Sequence, residues 1–153
     1  MSGRTILTSL SLFALLASAP AWADGDVIEK RLWLKTGGAK AITVDSFREM
    51  REDCALAPAP TVTVQQHPAF GKLTVAKTKA AGKTDPNGPY AACDGKPFNW
   101  TVVKVPSPSR GEGTDKAVIR AEESSGEATT YDIEIVYSKT LPAGKTSGLL
   151  EDR

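Results

Sequence analysis

One histidine, two cysteines and two methionines in 153 residues leave little material for metal or redox chemistry. Cys54 and Cys93 do not have the Cys-x-x-Cys spacing of a zinc or disulfide-exchange site, and no histidine stands near either in sequence. The single histidine, His67, has no Gly-x-Ser-x-Gly elbow to serve, which argues against Ser-His-Asp hydrolysis. The glycine patterns of phosphate loops and dinucleotide sites are missing too. No apolar run reaches the ~20 residues that cross a bilayer.

What is present begins with a leader. Arg4 is the only charge in residues 1–23, an apolar run fills 6–16, and Ala21-Trp22-Ala23 sets small residues at the −3 and −1 positions of a cleavage site. This is the plan of a secretory signal peptide. No cysteine follows the site and no Arg-Arg pair precedes it, so lipidation and the twin-arginine route are not indicated. The expected location is the periplasm, with full secretion as the alternative. Without the leader, residues 24–153 carry 18 basic and 18 acidic side chains. That balance gives no reason to expect nucleic acid as a partner, and no membrane insertion is expected of the mature chain.

The charges are nevertheless segregated. Between Cys54 and Thr84 stand Lys72, Lys77, Lys79 and Lys83 with no acid, whereas 112–134 is predominantly acidic. In an oxidising compartment Cys54 and Cys93 are expected to form a disulfide. Closing a loop of about 40 residues contributes roughly 4 kcal/mol in the chain-entropy model.

Alternation of period two dominates the rest, with strands predicted over 30–35, 40–44, 61–66, 72–77, 98–105, 116–122 and 128–137. A short strand over 90–93 is an eighth. In the last long strand Tyr131, Ile133, Ile135 and Tyr137 share one face. One helix or helical turn is predicted over 46–55: Ser46-x-x-Glu49 has capping-box spacing, and Phe47, Met50 and Cys54 fall on one helical face before Pro58 and Pro60. His67-Pro68-Ala69-Phe70-Gly71 reads as a hairpin connection, with Gly71 near the end of a turn that favours positive φ. Residues 78–89 and 106–113 are loop by composition, and 139–153 lose the pattern and read as a flexible C-terminal tail. Together these predict a single antiparallel, immunoglobulin-like β-sandwich over 24–138; a small barrel is the alternative.

Pro68-x-x-Gly71-Lys72-Leu73-Thr74-Val75, then Gly113-Thr114-Asp115-Lys116-Ala117-Val118-Ile119, then Gly126 before an alternating strand, resembles the bacterial cadherin-like, immunoglobulin-like repeat over about 60–137. Ala117 and Ile119 stand where that family usually has aromatics, and the pattern occurs once. The resemblance implies a sandwich with a binding or structural role and names no ligand.

No catalytic residue, cofactor or metal ligand is predicted. The oxygens of 85–88 and 112–115 lack the regular spacing of a dedicated calcium loop. The expected function is a non-enzymatic exported binding or structural module. Its partner is expected to be a protein or an anionic envelope polymer, and Lys72, Lys77, Lys79 and Lys83 are the candidate binding residues. A small periplasmic hydrolase, or an enzyme inhibitor acting through a loop, is the alternative.

Overall fold

Eight strands form two sheets in the computed structural model, which describes residues 25–38, 41–148 and 150–153. The leader lies outside the described residues. In chain order the strands are β1 (Asp26–Lys35), β2 (Ala41–Phe47), β3 (Thr61–Gln66), β4 (Thr74–Ala81), β5 (Pro97–Pro106), β6 (Gly113–Glu122), β7 (Ala128–Ser138) and β8 (Leu150–Asp152). One sheet has the order β3-β6-β7-β1-β8, the other β2-β5-β4. Taking β2 to β7 as strands B to G, these are the B-E-D and C-F-G sheets of an immunoglobulin-like sandwich. β1 runs parallel to β7, with Leu32 opposite Ile135, while the other pairs are antiparallel.

The core follows from the alternation. Leu32, Leu34, Ala117, Ile119, Ile133 and Ile135 of the larger sheet meet Val44, Phe47, Val103 and Val105 of the smaller one, and all are buried. Tyr131 and Tyr137 continue the Ile133–Ile135 face; their rings pack against Phe47 and Phe70 at 5.2 and 5.3 Å. Each such aliphatic side chain contributes about 1.5–3 kcal/mol by leaving water. The β6–β7 hairpin turns where expected, with Gly126 at φ 88°.

Several expectations are corrected. No helix forms over 46–55: β2 runs through Ser46 and Phe47, paired with Val102 and Thr101. Glu49 does not close a capping box; its Oε2 accepts from the Ser124 N–H at 3.0 Å. A ten-residue segment ended by prolines is too short to hold a helix alone, and the pairing of β2 with β5 outweighs it. The chain instead turns at 51–54, where Cys54 takes φ 56° and bonds to Cys93. The predicted strand at 90–93 is a 3-10 turn, Ala91–Cys93, presenting a buried Cys93. β4 lies two residues later than expected at its start and extends into the predicted loop, because its register with β5 holds as far as Ala81 opposite Pro97.

Residues 67–73 are not a hairpin connection. β3 pairs with β6 and β4 with β5, so this stretch crosses from one sheet to the other. Alternation locates strands but says nothing about their partners. The Gly71 N–H bonds back to the Pro68 carbonyl at 3.2 Å, and His67 Nδ1 accepts from the Leu73 N–H at 3.0 Å. The histidine thus clips the crossing shut. Gly71 does not have positive φ; a Cβ there would lie 2.4 Å from Pro106 Cγ.

The segment 139–153 does not hang free. Leu150–Asp152 pairs with β1, and the Gly148 N–H donates to the Trp33 carbonyl at 2.8 Å. Trp33 Nε1 donates to Glu151 at 3.1 Å, and Lys145 bonds the same carboxylate at 2.7 Å, which holds Glu151 below the usual carboxylate range. Leu150 packs against the core and the rest of the anchoring is polar, so this short strand shows no apolar periodicity in sequence.

His67→Ala should cost about 1 kcal/mol, the net worth of one hydrogen bond. Gly71→Val should cost more, about 1–3 kcal/mol, by overpacking against Pro106. Urea denaturation of both variants checks the order, and the reverse order would show that the crossing is held some other way. Cys54 and Cys93 have Cα atoms 5.4 Å apart and are separated by 39 residues. Cys93→Ser should therefore lower stability by about 2–5 kcal/mol, as read from the same denaturation midpoints under non-reducing conditions.

Candidate binding site

Lys77 and Lys79 are brought together by β4; Lys72 and Lys83 are not. In the antiparallel register Val75 lies opposite Val103, Lys77 opposite Thr101 and Lys79 opposite Asn99. Residues directly opposite share a face, so both lysines stand on the side of the smaller sheet that faces the core. They escape burial because the larger sheet does not reach them. The chain before β3 covers β5 instead: Asn99 Nδ2 donates to the Ala57 carbonyl at 2.7 Å, and the buried Thr101 hydroxyl donates to the Pro60 carbonyl at 2.5 Å. β4 lies beyond this cover, with every residue exposed.

Ala59, Lys77, Thr78, Lys79 and Asn99 line a shallow groove of about 430 Å³ along β4. Lys72 precedes the strand and Lys83 follows it, at opposite ends of a span of roughly 25 Å. The Lys83 carbonyl accepts from Arg48 Nη2 at 2.6 Å. None of the four lysines forms an ion pair among the described residues. The arrangement can attract anions and bond an extended backbone.

A second cleft, of about 370 Å³, lies where the end of β2 meets β6 and β7, and Asp45, Arg48, Trp100, Glu123, Glu127 and Tyr131 are on its wall. A β-bulge creates it. Pairing with β5 skips from Thr43 to Asp45, so Val44 is extra and Asp45 comes to lie opposite the inward-facing Val103. Burial pushes the Asp45 carboxyl up, against the Ser46 N–H and the Lys30 charge. Burial, with Glu49 and Glu127 nearby, also raises Glu123. Arg48 stacks on Phe98 and Trp100 at 4.6 and 4.5 Å, and its Nη1 is buried without a partner.

The sequence reading missed this cleft. Its signal was a slip of phase: Ile42, Val44 and Phe47 cannot all face one side of a regular strand. Elsewhere, Asp85 Oδ1 accepts from the Asn87 N–H, and Asp115 accepts from Ala69 and Lys116. Asp85 thus closes a turn and Asp115 braces the crossing, while Glu112 accepts from the Ser138 hydroxyl at 3.3 Å. Among the described residues no group of three or more His, Cys, Asp and Glu is placed to hold a metal ion, and no helix is long and apolar enough to cross a membrane.

Asp45 gives a pH-dependent prediction. Between the ordinary aspartate pKa, about 3.9, and its raised folded value, the folded chain holds more protons than the unfolded one. Stability from this group therefore falls as pH rises through that window. Asp45→Asn removes the titration and keeps an oxygen for the Ser46 N–H. The variant should be more stable than wild type at pH 7, with the difference closing below about pH 4. Urea unfolding across that range checks this, and a gap that does not change with pH would contradict it.

Comparison with known proteins finds no family model, no curated protein and no solved structure that matches the chain.

Proposed function

We propose that this chain is an exported, non-enzymatic binding module, periplasmic in location and cadherin-like in type, that engages an anionic partner through β4. One observation carries the reading: an eight-residue edge strand with every residue exposed, bearing two lysines and flanked by two more, none with a counter-charge among the described residues. The Cys54–Cys93 disulfide is compatible with an oxidising compartment and supports export. The anion is a protein surface or an envelope polymer.

The cleft around Asp45 and Glu123 favours a second reading, a small hydrolase using a carboxyl raised by burial as its acid. That activity would be lost in Asp45→Asn while binding through β4 continued.

The test is retention of envelope components on immobilised mature chain, wild type against Lys77→Glu/Lys79→Glu. Components held by wild type should be released as rising salt brings the Debye length below ~8 Å. The double variant should retain at least tenfold less, chiefly through slower association. Equal retention by the variant, or indifference to salt, sinks the reading.

A further inference from the structure

An unpaired edge of a sheet is a row of main-chain donors and acceptors awaiting a strand, and proteins protect such edges. Three of the four edges here are visibly protected. β8 is three residues long, β2 is broken by the bulge at Val44, and β3 slips register between Val64 and Gln66. β4 is different. Its register with β5 runs without interruption from Thr74 opposite Lys104 to Ala81 opposite Pro97, so its far side offers a regular template.

Among the described residues the only protection on β4 is charge. Lys77 and Lys79 stand on one face, about 7 Å apart along the strand, with the exposed Val75 before them. The opposite face carries Thr74, Ala76, Thr78 and Ala80, small and uncharged. A protection made of lysines is selective. It repels a basic strand, and it repels a second copy of β4: antiparallel pairing centred on Thr78 would set Lys77 opposite Lys79, an unfavourable cross-strand pair. It does not repel an acidic strand, whose residues i and i+2 share a face at the same 7 Å spacing.

We propose that β4 is a template for strand addition, and that its partner is an extended acidic polypeptide segment with carboxylates two residues apart and an apolar residue two further on. This rests on the reading of β4 as the binding surface and specifies what occupies it. The segment bonds to the free side of β4 and pairs its carboxylates with Lys77 and Lys79. Its apolar residue covers Val75, and its other face accepts larger side chains over the small residues of β4. Main-chain bonding would supply affinity and the lysines specificity, as in other edge-strand recognition.

The experiment titrates the mature chain with the peptide Thr-Val-Thr-Glu-Thr-Glu-Thr-Thr, its reversed sequence, and two isomers N-methylated at alternate amides. Inorganic polyphosphate serves as an anion without a peptide backbone. One of the two directions should bind. In that direction methylation of one alternate set should cost at least about tenfold in Kd, while methylation of the other set changes it less than about threefold. Hydrogen exchange should slow at alternate amides of 74–81. Lys77→Glu/Lys79→Glu should lose the acidic peptide and gain one with lysine in place of glutamate. If both methylated isomers bind as well as the parent, or only polyphosphate binds, β4 attracts anions without pairing; the inference then fails and the broader reading stands. If no peptide binds while envelope retention still depends on the lysines, the inference fails alone. If retention is also indifferent to them, both fail.

Discussion

The Thr101 hydroxyl bond to the Pro60 carbonyl is the contact on which the functional geometry depends. Thr101 is fully buried in the middle of β5, at a position where the opposing sheet would normally supply an aliphatic side chain. A buried hydroxyl without a partner costs about 1–3 kcal/mol, so a polar group must lie over it. That group is the backbone of the segment entering β3, and Asn99 repeats the arrangement one pleat along at the Ala57 carbonyl. Proline at 58 and 60 keeps the segment extended, and the Cys54–Cys93 bridge pins its other end beside the 3-10 turn. With this cover taken up by β5, no described segment lies over β4. The bare strand follows from how the smaller sheet is closed.

Legibility in the sequence divides along the same line. The core strands were readable because burial on one face imposes period two, and β5, β6 and β7 lie within two or three residues of their expected bounds. Partner choice was not readable: 61–66 and 72–77 flank a good turn, yet they belong to different sheets. Local turn chemistry is the same whether the chain doubles back beside itself or steps across the core. The helix expected over 46–55 fails for a related reason. Phe47 suits a helical face and a strand's inner face equally, and the long-range pairing with Thr101 decides between them.

The candidate site was half legible. Charge segregation marked four lysines as one candidate patch. The register unites Lys77 and Lys79 and leaves Lys72 and Lys83 at opposite ends. The Asp45 cleft depends on one extra residue in β2, and a bulge leaves in sequence only a slip from even to odd. The final strand was hidden more thoroughly, since Trp33, Lys145 and Glu151 hold it by hydrogen bonds that no hydropathy pattern records.

An unpaired sheet edge poses a conflict between avoiding self-pairing and remaining able to bind. Bulging resolves it on β3 by spoiling the hydrogen-bond spacing, which excludes every partner alike. Lysine resolves it on β4 by adding a repulsion that depends on the partner's charge and leaves the spacing intact. The second device retains the template, because about 25 Å of regular edge stays available to a strand that satisfies two ammonium groups. On the reading proposed for β4, mutual repulsion would keep two copies of the strand from pairing and the same charge would draw an acidic segment in, so protection against self-pairing and selectivity for a partner would be one property of Lys77 and Lys79.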